Sequence, residues 1–145
     1  MKGKVIGLAI GERRGESKKP VSSAEFKAGF GIIGDAHAGT YKQVSLMDED
    51  LAREIFQKHN VLGKPGDFAD NVRVDGISLA RVKVGDTIKL GQHVTLKVVQ
   101  IGKVLGPDHT FNFHGQVPLA EKGIFATVET GGQVQVGDSV EIIPG

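Results

Sequence analysis

Two ionisable side chains, Asp35 and His37, lie within the glycine-framed segment Gly34-Asp35-Ala36-His37-Ala38-Gly39. Glycine has no Cβ, so it permits backbone conformations and close ligand approach that other residues obstruct. A carboxylate and an imidazole two residues apart can form hydrogen bonds and handle protons. Because binding groups concentrate on loops held by a rigid scaffold, this segment is a candidate site. A plain Gly-Asp turn with an exposed histidine is the structural alternative.

A second candidate is the segment from Gly11 to Pro20, which carries four cations and two anions. Arginine binds phosphate through two parallel hydrogen bonds, and lysine adds a mobile charge. Such a loop can close over an anionic ligand, and a solvated loop is the alternative.

The third candidate is Asn71, at the end of Gly66-Asp67-Phe68-Ala69-Asp70-Asn71 and the mouth of an apolar strand. Its amide can present a donor and an acceptor to the edge of a heterocycle. Asp67 and Asp70 have the alternative role of capping turns.

The fourth candidate is a possible metal site formed by Asp108, His109 and His114. Two imidazoles and a carboxylate suit a divalent metal, but this histidine spacing is not the i, i+4 pairing of helical metallohydrolase sites.

Composition excludes several classes of function. The 145 residues suffice for one domain, predicted to span 1–145, and 18 basic against 17 acidic residues give no field that would attract nucleic acid. The chain contains no cysteine, so it supplies no disulfide, thiolate ligand or cysteine nucleophile. It also lacks a Gly-x-Ser-x-Gly hydrolase motif, a phosphate-loop signature and a Gly-x-Gly-x-x-Gly fingerprint. Ser45 is therefore predicted to be a strand residue.

The chain has neither a long apolar run nor a signal-peptide pattern. We therefore expect a cytoplasmic protein without a membrane partner.

Short apolar runs separated by glycine predict strands that hold these candidates in place. The clearest are 5–10 and 94–101, and further strands are predicted at 21–27, 43–47, 71–74, 86–90, 124–129 and 138–143. One helix is predicted from Asp48 to near Asn60, where a left-handed residue would end it. Its leading acidic residues, Asp48, Glu49 and Asp50, are assigned to helix-end electrostatics.

Two segments echo each other, Val82-Lys83-Val84-Gly85-Asp86 and Val134-Gln135-Val136-Gly137-Asp138. In both, the aspartate is predicted to be a turn residue. About eight short strands and a single helix favour a mainly β fold that closes, or nearly closes, into a barrel.

In their order along the chain, several segments resemble the MOSC domain, the family named for the C-terminal domain of molybdenum cofactor sulfurases. They are Gly34-Asp35-Ala36-His37-Ala38-Gly39, Lys42-Gln43-Val44-Ser45-Leu46, Gly66-Asp67-Phe68-Ala69-Asp70-Asn71, Asp75-Gly76-Ile77, Val84-Gly85-Asp86, Gln100-Ile101-Gly102-Lys103 and Gly123-Ile124-Phe125-Ala126. The small stand-alone branch is most similar.

The resemblance implies a β-barrel related to the barrel domain of pyruvate kinase, with a pocket for molybdopterin or molybdenum cofactor. It also implies a sulfur-handling cysteine just after Ile101-Gly102-Lys103, where this chain has Leu105 or a neighbour instead. Leucine can neither carry a persulfide nor ligate molybdenum. Lys42 stands where relatives often have arginine, which keeps the charge but not the planar fork.

The first hypothesis is therefore a cofactor-binding module for biosynthesis, maturation or delivery that carries no sulfur itself. The resemblance implies that cations grip the phosphate and that polar side chains contact the pterin. The implied binding residues are Arg13, Arg14, Asp35, His37, Lys42, Gln43, Asn71 and Lys103. Implied partners are cofactor biosynthesis or acceptor proteins and a pyridoxal phosphate-dependent sulfurase, without pyridoxal phosphate on this chain.

Two alternatives remain open from the sequence. One is a non-catalytic interaction module of the cofactor pathway with a decayed pocket. The other is a cysteine-free enzyme that binds a metal through Asp108, His109 and His114.

Overall fold

Alternating apolar and polar residues build most of the strands in this computed structural model, which describes residues 2–13, 16–60, 63–102, 112 and 118–145. In β8, Val94, Leu96 and Val98 are buried while the residues between them are partly exposed, as expected for a strand with one face in a core. The elements are β1 (Lys2–Ile10), β2 (Lys19–Val21), β3 (Ser23–Lys27), β4 (Gly31–Ile32), β5 (Val44–Asp48), α1 (Glu49–Lys58), β6 (Val72–Asp75), β7 (Thr87–Leu90), β8 (Val94–Ile101), α2 (Pro118–Lys122), β9 (Ile124–Thr130), β10 (Gly132–Gln135) and β11 (Ser139–Ile143).

Seven of the described strands close into a barrel in the order β11, β7, β8, β9, β5, β6, β1, and pairing of β1 with β11 completes the ring. Strand β2 extends the same sheet from the other end of β1, and β10, β3 and β4 form a separate small sheet. The mainly β barrel predicted from the sequence is confirmed. Closure pairs strand edges that would otherwise be open to other chains.

Strands β5 and β6 are parallel, so their N-terminal ends lie at the same end of the barrel. Since β1 runs antiparallel to β6, the C-terminal end of β1 lies at that same end of the barrel. The N-terminal ends of β5 and β6 and the C-terminal end of β1 therefore lie at the same rim of the barrel. Helix α1 lies between β5 and β6 in the chain and makes the crossover that a parallel pair requires.

The barrel interior is filled by aliphatic side chains, with Val5, Leu46, Val72, Leu96 and Val140 among those that are fully buried. A second, smaller cluster lies under α1 and includes Met47, Ala52, Phe68, Leu119 and Phe125. No described helix combines the length and apolar character needed to cross a bilayer.

Helix α1 begins and ends as its sequence predicts. The Asp48 carboxylate accepts a hydrogen bond from the Leu51 backbone N–H at 2.9 Å, satisfying an amide that the first turn leaves open. It also accepts one from Leu79 N–H at 3.3 Å. At the other end His59 caps the helix, and Asn60 adopts a left-handed φ of 52°.

A buried ion cluster centred on Arg73 attaches α1 to the barrel. The guanidinium donates to both carboxylate oxygens of Asp70, at 3.0 and 3.2 Å, and to Glu49 at 3.1 Å. Its Cζ atom lies over the Phe68 ring, 5.2 Å from the ring centre. Burial alone would lower the pKa of Arg73, but the charges and hydrogen bonds of Asp70 and Glu49 outweigh it and raise the pKa.

The aspartates of the Gly66–Asn71 segment cap turns, as one of the two sequence interpretations proposed. Asp67 accepts from Lys64 N–H at 2.9 Å, and Asp70 accepts from Gly66 N–H at 3.2 Å.

Several elements differ from the sequence prediction. The single strand predicted over 21–27 is wrong, because Ser22 separates β2 and β3, which belong to different sheets. Strands β4 and β10 and the second helix, α2, were not predicted. Each has five or fewer residues, too few to show a period.

Candidate functional site

The segment Gly34–Gly39 lies beside the C-terminal end of β1 and is held by backbone hydrogen bonds. Ala36 N–H donates to Gly11 O at 2.7 Å, and Gly39 N–H donates to Phe30 O at 2.6 Å. Gly34 and Gly39 have φ values of +91° and +80°, which glycine adopts without the steric cost that a Cβ brings. The glycines of this segment therefore serve its turns.

Asp35 is the centre of the hydrogen-bond network at this rim. Its side chain has no exposed surface. Oδ1 accepts from Gly11 N–H at 3.0 Å, from Lys18 Nζ at 2.7 Å and from Asn71 Nδ2 at 3.1 Å. Oδ2 accepts from the His37 backbone N–H at 3.1 Å. One carboxylate thus joins four separate positions of the chain.

These contacts decide the charge of Asp35. Burial by itself would raise the pKa of the carboxyl, because a charge is poorly solvated in the interior. The hydrogen bond and charge of Lys18 and the hydrogen bond from Gly11 N–H outweigh burial and hold the pKa of Asp35 well below its ordinary range. Asp35 is therefore a carboxylate at neutral pH.

Lys18 is the partner that neutralises this buried charge. Its side chain is 1% exposed, and Nζ contacts both Asp35 Oδ1, at 2.7 Å, and His37 Nδ1, at 3.3 Å. The sequence pattern predicts Lys18 to be one of four cations in a loop that closes over an anionic ligand or is solvated, and the burial of its side chain corrects that prediction. A Cβ on Gly11 would come within 3.1 Å of Lys18 Cγ, so the glycine gives the lysine its room.

Asn71 lies beside Asp35, but its amide bonds internally. Nδ2 donates to Asp35 Oδ1 and to Ala9 O, both at 3.1 Å. Oδ1 accepts from Ser45 N–H at 3.0 Å and from Ser45 Oγ at 3.2 Å. Both amide hydrogens are therefore used within the protein. Ser45 is a buried residue of β5, as predicted.

His37 is the partly exposed member of the cluster, with 30% of its side chain open to solvent. Nδ1 faces Lys18 and lies 3.7 Å from Asp35 Oδ2, which is too long for a hydrogen bond. Thr40 Oγ1 donates to the His37 carbonyl at 2.7 Å. Within the described part of the chain, no group bonds to His37 Nε2.

Three other candidate residues, Gln43, Lys42 and Arg13, are not members of this cluster. Gln43 is buried, and its Oε1 accepts from Val128 N–H at 3.0 Å, so it ties β5 to β9. Lys42 is half-buried, with Nζ 5.6 Å from the centre of the Phe125 ring. Arg13 is exposed. The structure thus joins Asp35, His37 and Asn71, whereas no hydrogen bond or ion pair links Lys42, Gln43 or Arg13 to them.

The remaining sequence candidates lie outside the described residues. These are Arg14, Lys103, Asp108, His109 and His114, together with Leu105 and its neighbours, among which the resemblance implies a cysteine. Among the described residues, no group of three or more His, Asp or Glu side chains is placed to hold a metal ion.

Solved structures share this barrel. YuaD from Bacillus subtilis superimposes with a TM-score of 0.78 at 24% identity, covering 100% of this chain and 97% of the other. YiiM from Geobacillus stearothermophilus gives 0.72 at 16% identity over 97% of this chain and 75% of the other. YiiM from Escherichia coli gives 0.68 at 20% identity, covering 100% and 71%. The fold is of the MOSC type.

At these identities the MOSC-type likeness concerns the fold alone. No protein-family model and no curated protein sequence matches the chain. The residues at the rim of the MOSC-type barrel therefore provide the basis for a functional proposal.

Two buried charged residues of this barrel went unrecognised in the sequence. Arg73 had a visible signal, because a charged residue stands between two valines of a short strand with Asp70 three positions earlier. Lys18 had none, since it lies among other charged residues and its partner Asp35 is 17 positions away.

Proposed function

We propose that this protein is a MOSC-type module that binds molybdopterin or molybdenum cofactor at the barrel rim, for cofactor biosynthesis, maturation or delivery. The observation that carries the proposal is the fixed His37 at that rim. A buried ion pair holds its ring on one side, and 30% of its side chain remains open to solvent. A side chain ordered in this way is suited to bind a ligand, since little of its freedom remains to be lost.

The donor set suits an anionic, hydrogen-bonding ligand. Molybdopterin carries a phosphate and a pterin with several polar edge atoms. His37 offers a ring nitrogen, and the exposed Arg13 and half-buried Lys42 are cations that can pair with phosphate. These three side chains are the proposed contacts with the ligand.

Asp35 and Asn71 have a different role in this proposal from the contact role expected from the sequence. Asp35 already accepts four hydrogen bonds, and both amide hydrogens of Asn71 are donated within the protein. We assign them to positioning His37 and the loop that carries it. Gln43 likewise acts through the backbone of β9, to which it bonds.

The cofactor is proposed as cargo. The chain has no cysteine and therefore provides neither a persulfide nor a thiolate for molybdenum. Binding the organic part of the cofactor requires neither. Proteins that make, mature or accept the cofactor are the proposed partners, and any sulfur transfer would take place on one of them.

The proposal is tested by titrating the purified protein with released molybdopterin and following pterin fluorescence. We expect saturable binding that weakens about tenfold in His37→Ala and in Lys42→Ala, which corresponds to about 1.4 kcal/mol for each lost contact. Lys89→Ala is the matched control, because β7, which carries it, pairs with none of β1, β5 and β6.

Absence of saturable binding would contradict the proposal and favour an interaction module instead. Equal affinity of His37→Ala, Lys42→Ala and Lys89→Ala for molybdopterin would show that the rim is not the binding site.

A further inference from the structure

The contact between Lys18 and His37 constrains where the proton of the histidine lies. An ammonium group has three N–H donors and no acceptor. It lies 3.3 Å from His37 Nδ1, a distance at which two donors would repel each other. The contact is favourable only when Nδ1 carries a lone pair, so the ring proton is on Nε2.

The surroundings of the lysine maintain this arrangement. Lys18 forms a 2.7 Å ion pair with Asp35, and only 1% of the lysine side chain is exposed. Asp35 in turn is held by Gly11 N–H and by Asn71, which Ser45 orients. The Asp35 carboxylate does not stabilise the other tautomer, protonated at Nδ1. Its Oδ2 lies 3.7 Å from Nδ1, which is too far to accept a hydrogen bond from that atom.

The backbone of the histidine is fixed as well. His37 N–H donates to Asp35 Oδ2 at 3.1 Å, and its carbonyl accepts from Thr40 Oγ1 at 2.7 Å. The charged groups that face the ring among the described residues are Lys18 and Asp35. With the backbone and Nδ1 both held, Nε2 is the nitrogen left for a ligand.

We propose that Lys18 is a positioning residue that holds His37 in the neutral tautomer protonated at Nε2, so that the rim presents an N–H donor to an acceptor oxygen of the ligand. The ligand group at this position is then a hydrogen-bond acceptor, for which a phosphate oxygen is suited. A group that must itself donate a hydrogen bond is rejected, because two donors would face each other. This inference rests on the proposed function for its ligand, whereas the tautomer is a property of the protein alone.

The tautomer is read directly by long-range ¹H–¹⁵N correlation spectra of the ligand-free protein. The spectra are taken at about pH 8, above the ordinary imidazole pKa of about 6.5. We expect His37 to show one protonated nitrogen, Nε2, while the exposed His93 serves as an internal reference. A proton on Nδ1, or a mixture of the two tautomers, would overturn the inference.

Lys18→Met tests whether the lysine is responsible. Removal of the ammonium leaves Nδ1 without its donor, so we expect His37 to populate both tautomers. Lys19→Met, which changes the exposed neighbour at the start of β2, should leave the spectrum unchanged. Retention of a single Nε2–H tautomer in a folded Lys18→Met protein would contradict the positioning role. The wild-type spectrum remains decisive if that variant does not fold.

Two probes separate this inference from the proposed function. Inorganic phosphate and released molybdopterin are each titrated while the Nε2–H resonance of His37 is followed. A shift with phosphate but no binding of molybdopterin supports the donor role and contradicts the proposed cargo. No shift with either probe would overturn the donor role, whatever the tautomer.

Discussion

At the scale of single residues, Asp35 has the largest share of the rim's polar contacts. Its two oxygens receive hydrogen bonds from Gly11, Lys18, His37 and Asn71. Two charges removed from water cost several kcal/mol each, and their attraction compensates only when the geometry and the further hydrogen bonds are good. Here those bonds are present, so the pair is stable only as a unit.

We expect Asp35→Asn to destabilise the protein by about 3–5 kcal/mol, because it leaves the buried Lys18 ammonium without its counter-charge. The measurement is urea unfolding at neutral pH, followed by circular dichroism. Asp50→Asn is the control, since that carboxylate is exposed on α1 and its 3.5 Å contact with Arg53 is a surface pair.

The same variant gives a pH dependence whose sign follows from the depressed pKa of Asp35. In the unfolded chain the carboxyl takes up a proton near its ordinary pKa of about 3.9, whereas the folded protein resists doing so. The contribution of Asp35 is therefore fully present above that pH and is lost as the pH falls towards the folded-state pKa. We expect the stability difference between wild type and Asp35→Asn to narrow below about pH 4. A constant difference across the acid range would contradict this account.

At the scale of elements, two turns of the same construction precede β7 and β11. In one, Asp86 Oδ2 accepts from Lys83 N–H at 2.9 Å, and in the other Asp138 Oδ2 accepts from Gln135 N–H at 2.9 Å. The sequence prediction of these aspartates as turn residues is confirmed. Asp86 also accepts from Gly145 N–H, and these backbone bonds lower the pKa of its exposed carboxyl.

Each turn also bonds to a neighbouring strand in the same way. Gly85 N–H donates to Val98 O at 2.9 Å, and Gly137 N–H donates to Val5 O at 2.7 Å. The glycines have φ values of +99° and +102°. A Cβ at either position would meet no atom within 4 Å, so only backbone conformation requires glycine there.

We expect Gly85→Ala and Gly137→Ala to lower the free energy of unfolding by similar amounts, about 1–3 kcal/mol each, because both place a Cβ in an unfavourable backbone region. Urea unfolding measures both losses. Gly29→Ala, with φ of +70° and equally open surroundings, should cost less because that conformation is nearer the left-handed minimum. Markedly unequal losses for Gly85 and Gly137 would mean that the two turns are not equivalent.

At the scale of the whole molecule, closure of the barrel assembles the rim. The hydrogen-bond network joins the C-terminal end of β1, the segment 34–39 and the N-terminal ends of β5 and β6. Its members are Gly11, Asp35, Ser45 and Asn71. Neighbouring strands of one closed sheet bring these groups within hydrogen-bond distance although they are far apart in the chain.

Gly3 pairs with Val140 at the seam between β1 and β11. A Cβ at Gly3 would overlap Asp75 O and the Ile77 side chain. We expect Gly3→Ala to destabilise the protein by about 1–3 kcal/mol through overpacking. Hydrogen exchange should show reduced protection at the Val5 and Gly137 amides, which bridge β1 and the turn before β11.

Lys2→Ala is the control for this seam, because Lys2 is an exposed residue of the same strand. Unchanged protection at both amides in Gly3→Ala would show that the seam does not depend on the absence of a side chain at this position.

The sequence by itself determined the local features of this protein. A run dense in β-branched residues predicted β8 with its observed bounds, and acidic residues before an apolar stripe predicted α1. The Gly34–Gly39 segment is recognisable as a candidate site from sequence because its glycines and ionisable side chains lie close together in the chain. All of these depend on neighbours a few positions apart, which is the range over which strand and helix periods operate.

Only the tertiary structure decided which polar groups are buried and with which partners. Lys18 meets Asp35 across 17 positions, Asn71 meets Ser45 across 26, and Asn71 meets Asp35 across 36. Burial of a lysine is stable only beside a counter-charge, and no periodic pattern encodes a partner that distant. The closed MOSC-type barrel therefore determined that Asp35 and Asn71 are internal, that Lys18 is buried beside Asp35, and that part of the His37 side chain stays open to solvent.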